Sequence, residues 1–143
     1  MSRKNAREDA FKIIFEVEIS KNSIDDTLAY YFSLEDTSEA DEWTVFAPGK
    51  NDKVFIEQET RGAISHKEEI DEKIAQNARG WDLKRMSKVS LAVLRLCIFE
   101  MLYMDDIPVS VSINEAVELC KKYDAPELSG FVNGILGAVA KTL

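Results

Sequence analysis

The sequence is poor in the residues that build most metal and redox sites. Its 143 residues include one histidine, His66, and two cysteines, Cys97 and Cys120. A single imidazole excludes a zinc site built on histidines. The cysteines lie in apolar helical patterns and lack the CxxC spacing, so we expect two reduced thiols in the core and no metal.

Loops that hold phosphates or nucleophiles are also missing. No GxxxxGK[ST], GxGxxG or GxSxG segment occurs. The carboxylates of Glu68, Glu69, Asp71 and Glu72 have the pattern of a solvated helix face. A di-metal helical bundle needs repeated Glu-x-x-His motifs, which one histidine cannot supply. We therefore predict that the protein is not an enzyme and uses no cofactor.

No apolar run reaches the roughly 20 residues that a membrane span needs. The longest candidate, 89–104, is interrupted by Arg95 and Glu100. The N-terminal segment Ser2-Arg3-Lys4-Asn5 does not lead into the apolar stretch and small-residue cleavage site of a signal peptide. We expect a cytoplasmic protein with no membrane partner.

Helical periodicity dominates what is present, and strand signals are weak. With 45% hydrophobic and 31% charged residues, the chain can bury a core and cover it. We predict an all-α bundle of about seven helices, forming one domain with helical halves near 1–80 and 81–143. Residues 36–52 read as a loop, and Trp81 reads as a packing anchor. Expected helices cover about 5–19, a segment after Ser23, 52–77, 88–104, 112–123 and a segment after Ser129.

Several serines have the positions of helix N-caps. Ser2 precedes the first stripe, Ser23 has Asp26 three residues later, and Ser87 precedes the most apolar segment. Ser112 is followed by Glu115, which predicts a capping box at the start of the next helix. Ser129 is the expected cap of the last helix.

The net charge of −8 is unevenly distributed. Residues 22–59 carry ten acidic residues and two lysines, whereas residues 1–21 and 119–143 each carry a net charge of +1. If the two chain ends meet in the fold, they form a local basic patch on an acidic protein.

Three features are unusual for a purely structural protein. Arg3, Lys4 and Arg7 cluster at the start of the chain, Phe131 stands beside a glycine in the last helix, and Gly134 lowers that helix's propensity. Solvation accounts for the basic residues and close helix packing for Gly134. Taken together, however, cations and an exposed ring are what holds single-stranded RNA, through phosphates and a stacked base.

Several long segments have the pattern of a known family. They are 111–119 (VSINEAVEL), Lys121-Lys122-Tyr123, 131–136 (FVNGIL), 81–86 (WDLKRM) with the apolar helix after it, and the opening Arg3 through Ala10. Together they resemble the NusB family of transcription antitermination factors. The resemblance is strong over 81–137, moderate over 3–20 and weak over 35–55.

This resemblance implies an all-helical protein of two subdomains. It also implies binding of boxA RNA together with NusE, a ribosomal small-subunit protein, within the RNA polymerase antitermination complex on ribosomal RNA operons. By position, the family's RNA-binding residues fall on Arg3, Lys4, Arg7, Phe15, Glu127 and Phe131.

The chain departs from the family pattern at Asn5, which interrupts the arginines, at Phe15, where some members have tyrosine, and at Ser90-Leu91, which replaces a charged pair. Two alternatives stay open. One is a protein-interaction module whose acidic segment binds basic NusE with little RNA contact. The other is a domain related to the NusB-like part of ribosomal RNA cytosine methyltransferases, which needs a cofactor-binding domain with a Gly-rich loop. A homodimer is compatible with either.

Overall fold

The structure, a computed structural model, describes residues 2–34, 49–80 and 82–143. Within these ranges the chain forms seven α-helices, one short 3-10 helix at Leu83–Arg85, and no strand. None of the described helices has the length and apolar character needed to cross a bilayer. The predicted all-α fold is confirmed. The helices are α1 Arg3–Ser20, α2 Ile24–Ser33, α3 Lys50–Ser65, α4 Lys67–Asn77, α5 Lys88–Tyr103, α6 Val109–Tyr123 and α7 Leu128–Ala140.

The chain divides into two compact units, Met1–Ile64 and Ser65–Leu143. The first unit holds α1, α2 and nearly all of α3, and the second holds α4 to α7. The division lies upstream of Gly80, the position near which the sequence suggested a change between two halves. Of the loop predicted over 36–52, residues 36–48 lie outside the described residues, as does Trp81, and the last three residues of the loop prediction are wrong because α3 begins at Lys50.

The first two helices begin where their serines predict. The Ser2 hydroxyl accepts the Asn5 N–H at 3.1 Å, and the Ser23 hydroxyl accepts the Asp26 N–H at 3.0 Å. Each bond satisfies a backbone donor that the first helical turn leaves free. The core of this unit is apolar, as the periodicity predicts, and includes Ala6, Ala10, Ile13, Ile14, Leu28, Ile56 and Ala63.

The long helix predicted over 52–77 is wrong, because the chain forms two helices there. α3 ends at Ser65 and α4 begins at Lys67. Between them His66 leaves the helical region, with φ −103° and ψ 16°, and its carbonyl accepts the Ile70 N–H that opens α4. The apolar stripe nevertheless continues across the break to Ile70 and Ile74, which are both fully buried. Periodicity alone therefore could not reveal the interruption.

α5 is the central helix of the second unit, and every residue from 90 to 101 is buried. Ser87 caps it by accepting the Ser90 N–H at 3.0 Å, as predicted. Its two buried charges are each bonded. The Arg95 guanidinium donates to both carboxylate oxygens of Asp71 in α4, at 2.8 and 2.9 Å, and Glu100 accepts from the Ser112 hydroxyl at 2.8 Å.

The predicted caps of the last two helices are wrong. α6 begins at Val109 after Pro108, so Ser112 lies inside the helix and its hydroxyl bonds to Glu100. Proline suits a helix start because its φ is fixed and it has no N–H to satisfy. α7 begins at Leu128, with Glu127 at the cap position making no side-chain cap bond. The Ser129 hydroxyl donates instead to the Pro126 carbonyl at 2.8 Å.

Candidate nucleic-acid interface

The first turn of α1 concentrates positive charge. Arg3 and Lys4 are exposed there, and the turn contains no acidic residue. Cations at a helix N-terminus face the positive end of the helix dipole, at a typical cost of about 0.3–1 kcal/mol each. The helix dipole therefore disfavours these cations, whereas a bound polyanion would interact favourably with them.

The Arg3 and Arg7 guanidinium groups lie over the ring of one aromatic residue in α3. The Arg3 Cζ is 4.0 Å from the centre of the Phe55 ring, and the Arg7 Cζ is 5.6 Å from it. Both distances are within the range of cation–π attraction. The two arginines differ in access, because Arg3 is exposed and Arg7 is only 5% exposed.

One turn further along α1, the charged side chains of Asp9 and Lys12 are buried within the first unit. Asp9 is buried and accepts a hydrogen bond from the Tyr31 hydroxyl of α2, while the Lys12 Nζ lies 4.0 Å from its carboxylate. Burial raises the pKa of Asp9, against the lowering effects of the Tyr31 bond and the Lys12 charge. Accessible positive charge in the opening of α1 thus comes from Arg3 and Lys4.

Phe15 is half-buried. Its ring centre lies 6.3 Å from that of Phe11, at a tilt of 32°, and Phe11 is buried in the core. The Phe15 side chain is thus in contact with the core of the first unit through Phe11.

In the second unit, Glu127 and Phe131 lie within about one turn at the start of α7. Glu127 is exposed, while Phe131 is half-buried and follows the exposed Gly130. The sequence predicts an exposed Phe131, and the structure shows it only partly exposed. A β-carbon added to Gly134 would meet no described atom within 4 Å beyond its immediate surroundings, so close helix packing among the described residues does not explain this glycine.

Two lysines at the end of α6 precede this turn in the chain. Lys121 and Lys122 are exposed in the last turn, and the Lys122 Nζ lies 5.3 Å from the centre of the Tyr123 ring. The family resemblance includes these residues, but it did not assign them an RNA contact. In the sequence, these residues can be found as two adjacent lysines followed by an aromatic residue.

The end of α6 is tied to the start of α5 by Asp124. Its carboxylate accepts hydrogen bonds from the hydroxyls of Ser87 and Ser90 and from the Ala125 N–H. Partial burial acts to raise the pKa of Asp124, but these hydrogen bonds outweigh it and the pKa lies below its usual value. Ser90, which replaces a charged residue of the family pattern, is buried and serves this structural bond.

The residues considered for metal or nucleophilic chemistry, Cys97, Cys120 and His66, all lie in the second unit. The Cys97 Sγ lies 3.7 Å from the Met101 Sδ, and burial raises the pKa of the Cys120 thiol. The His66 ring packs on the Tyr103 ring at 4.2 Å. Across residues 2–34, 49–80 and 82–143, no group of three His, Cys, Asp or Glu side chains is arranged to hold a metal.

The six residues predicted to bind RNA therefore fall into two sets. Arg3, Lys4, Arg7 and Phe15 lie on α1 of the first unit, and Glu127 and Phe131 lie at the start of α7 in the second. Phe55 contacts two residues of the first set, and its place in the apolar stripe of α3 gives no sign of this in the sequence.

Comparisons with known proteins cover nearly the whole chain. The NusB family model matches residues 4–141. The transcription antitermination protein NusB of Acetivibrio thermocellus is 43% identical over 141 residues, which is 99% of this chain and 90% of that protein. The solved structure of T. maritima NusB has a TM-score of 0.84 and 31% identity, covering 99% of this chain and 92% of that one.

A crystal structure of the antitermination factors NusB and NusE in complex with double-stranded RNA shares the fold. Its TM-score is 0.82 at 23% identity, covering 99% of this chain and 97% of the matched chain. The family model and the relatives that are more than 30% identical each span almost all of this sequence. The chain belongs to the NusB family.

Proposed function

We propose that this protein is a transcription antitermination factor that binds boxA RNA together with NusE. It would act within the RNA polymerase antitermination complex on ribosomal RNA operons. The observation that carries the proposal is family membership across residues 4–141, with relatives named as transcription antitermination proteins. The same fold occurs in the structure of NusB and NusE with double-stranded RNA.

The RNA contacts proposed for this chain follow the exposure of each residue. Arg3 and Lys4 would meet phosphates, because both are exposed on a turn without an acidic neighbour. Phe15 and Phe131 would each present the accessible part of a ring to a base. Glu127, which is exposed, would reduce affinity by repelling phosphates and so limit non-specific binding.

Arg7 has a different place in this proposal. With 5% exposure it can offer little surface to RNA, although its guanidinium lies over the same ring as that of Arg3. We propose that Arg7 contacts RNA only at the edge of its stack with Arg3 and Phe55, and that it does not bind a phosphate as a fully exposed residue would.

The protein would work as a binding factor in the cytoplasm, where transcription takes place, with no catalytic step or cofactor. Both units would contribute to one RNA-binding domain, since the predicted contacts are shared between α1 and α7. Whether it also forms a homodimer can be measured directly by analytical ultracentrifugation.

The test is a salt titration of boxA binding. Fluorescence anisotropy with a labelled boxA oligonucleotide, with and without NusE, should give an affinity above that for a scrambled RNA of equal composition. The logarithm of the affinity should fall with the logarithm of salt concentration, by about 0.7 for each single-strand phosphate neutralised. Equal binding of both RNAs, with NusE present, would contradict the proposal.

Variants assign the effect to the interface. Lys4→Ala should weaken boxA binding and lower the salt slope by about 0.7. Lys141→Ala removes an exposed lysine after the end of α7 and is the matched control, expected to leave the slope unchanged. Equal slopes for both variants would remove Lys4 from the RNA contacts.

A second candidate is a protein-interaction module with little RNA contact. The observation in its favour is the net charge of −8 concentrated in residues 22–59, which would attract a basic protein such as NusE. Capture of NusE that is unaffected by boxA RNA, combined with a flat salt titration of RNA binding, would favour this candidate.

A further inference from the structure

The stack of two arginines on Phe55 holds an exposed charge in a fixed place. The Arg3 Cζ is 4.0 Å from the ring centre, and the ring itself is 4% exposed. A surface arginine ordinarily samples many rotamers, and ordering it on binding costs conformational entropy. Contact with a buried ring removes much of that freedom before any ligand arrives.

Stacking leaves the hydrogen-bonding edge of the guanidinium available. The cation–π contact uses the flat face of the group, whereas its N–H donors point outward in the guanidinium plane. Among the described residues, Arg3 contacts the ring of Phe55 and forms no ion pair with a carboxylate. The donors of Arg3 are therefore not committed to an acidic side chain there.

The opposing explanation is that Phe55 simply fills the core and the arginines cover it. In that case any apolar side chain of similar volume would serve. The geometry favours a more specific role, because the guanidinium groups of both Arg3 and Arg7 lie over this one ring, while Lys4, between them in the sequence, is exposed. Arg7, nearly buried, forms the inner part of the stack and Arg3 the outer part.

We propose that Phe55 is a positioning residue for RNA binding, which orients the Arg3 guanidinium toward an RNA phosphate through the cation–π stack. This inference rests on the proposed function of the protein in RNA binding. Phe55 itself does not touch RNA. Its effect is to raise affinity by presenting a charge in its bound geometry.

A double-mutant cycle of Phe55→Leu and Arg3→Ala tests this role. Measured by anisotropy with boxA RNA and NusE, Phe55→Leu should weaken binding by roughly 3-fold to 10-fold, because the long Arg3 side chain must then be ordered on binding. In the Arg3→Ala background, the same substitution should have little further effect, because there is no outer guanidinium to position. Phe55→Tyr keeps the aromatic face and should restore most of the affinity.

Two controls separate positioning from loss of fold. Leu28→Ala truncates another buried side chain of the first unit and should lower the melting temperature with little change in RNA affinity. NusE binding without RNA should be the same for wild type and Phe55→Leu. Phe55→Leu acts on placement and not on charge, so its salt slope should match that of wild type, while Arg3→Ala should reduce the slope by about 0.7.

Three results would overturn the inference while leaving the proposed function in place. They are unchanged affinity in Phe55→Leu, effects of Phe55→Leu and Arg3→Ala that multiply independently, and an affinity loss in Leu28→Ala equal to that of Phe55→Leu. If the wild-type protein with NusE fails to distinguish boxA from scrambled RNA, the proposed function falls, and this inference falls with it.

Discussion

Replacement of Gly134 by alanine should stabilise the isolated protein. Gly134 lies in the interior of α7, where it is exposed, and an added β-carbon meets no described atom within 4 Å beyond its own surroundings. Glycine in a helix interior costs about 0.8–1.0 kcal/mol relative to alanine, because the unfolded chain has more backbone freedom to lose. We therefore expect Gly134→Ala to raise the free energy of unfolding by about 1 kcal/mol.

Gly80 supplies a matched control of opposite sign. It is also exposed with open space at the β-carbon position, but its φ is +79°, in the left-handed region. An alanine there meets the steric cost of that conformation, about 1–2 kcal/mol, so Gly80→Ala should destabilise the protein. The two variants make the same chemical change in equally open sites, so their difference isolates backbone conformation.

Urea unfolding followed by circular dichroism measures both changes, with the denaturant slope checked for constancy. A loss of stability in Gly134→Ala would refute the reasoning, because it would mean that the site is not open. If Gly134→Ala stabilises the protein but weakens binding of boxA RNA or NusE, the glycine is retained for close approach of a partner. If Gly134→Ala stabilises the protein and binding of boxA RNA and NusE is unchanged, the only effect of the glycine is to make the helix more flexible.

Three further substitutions test the core and its polar bonds. Cys97→Ser places a hydroxyl in the buried site beside Met101, and it should lower the free energy of unfolding by about 1–3 kcal/mol without changing RNA affinity; a wild-type melting temperature would contradict the burial. Ser112→Ala removes the bond to the buried Glu100 carboxylate and should cost about 1–3 kcal/mol, which a melting curve will show. The folded-state pKa of Asp124 is lowered, so its charge stabilises the fold above the usual pKa of 3.8, and this stabilisation is lost as pH falls through the folded-state value. The stability difference between wild type and Asp124→Asn should thus be largest near neutral pH and shrink in acid; a difference that is constant between pH 7 and pH 3 would remove Asp124 as the titrating group.

The fold could be predicted from the sequence where the determining interactions are local. Ser2, Ser23 and Ser87 begin their helices because each hydroxyl meets a backbone N–H three residues later. The central apolar helix also ends where an aspartate pair and a proline follow it. These signals depend on residues within one turn of each other.

Prediction failed where a tertiary bond replaced the local one. Ser112 and Glu115 have capping-box spacing, yet the Ser112 hydroxyl bonds to Glu100 of α5, and Pro108 starts the helix earlier. The break at His66 left no trace in the apolar stripe, because buried residues continue with helical spacing on both sides. A pattern within one segment carries no information about a hydrogen-bond partner on another helix.

The candidate site likewise has residues that the sequence could predict and residues that it could not. The basic opening of α1 and the aromatic of α7 were visible as unusual residues in the sequence, and the family resemblance placed them. Phe55 was not visible, because a phenylalanine in an apolar stripe looks the same whether or not arginines from another helix lie over its ring. The burial of Arg7 could not be predicted from the sequence either, because arginine is rarely buried and one of its two sequence neighbours is polar.

Differences in exposure among the site residues explain how an acidic protein can bind RNA. A net charge of −8 repels a polyanion at long range, but screening limits that repulsion to about 8–10 Å at physiological salt. Within that distance the exposed Arg3 and Lys4, on a turn without acidic residues, determine the local potential of α1. Binding of this kind should be weak for RNA in general, because few cations are accessible, and selective where a base can stack on Phe15 or Phe131. It should also gain from NusE, because a basic partner would offset the acidic segment 22–59 and add cations that this chain lacks.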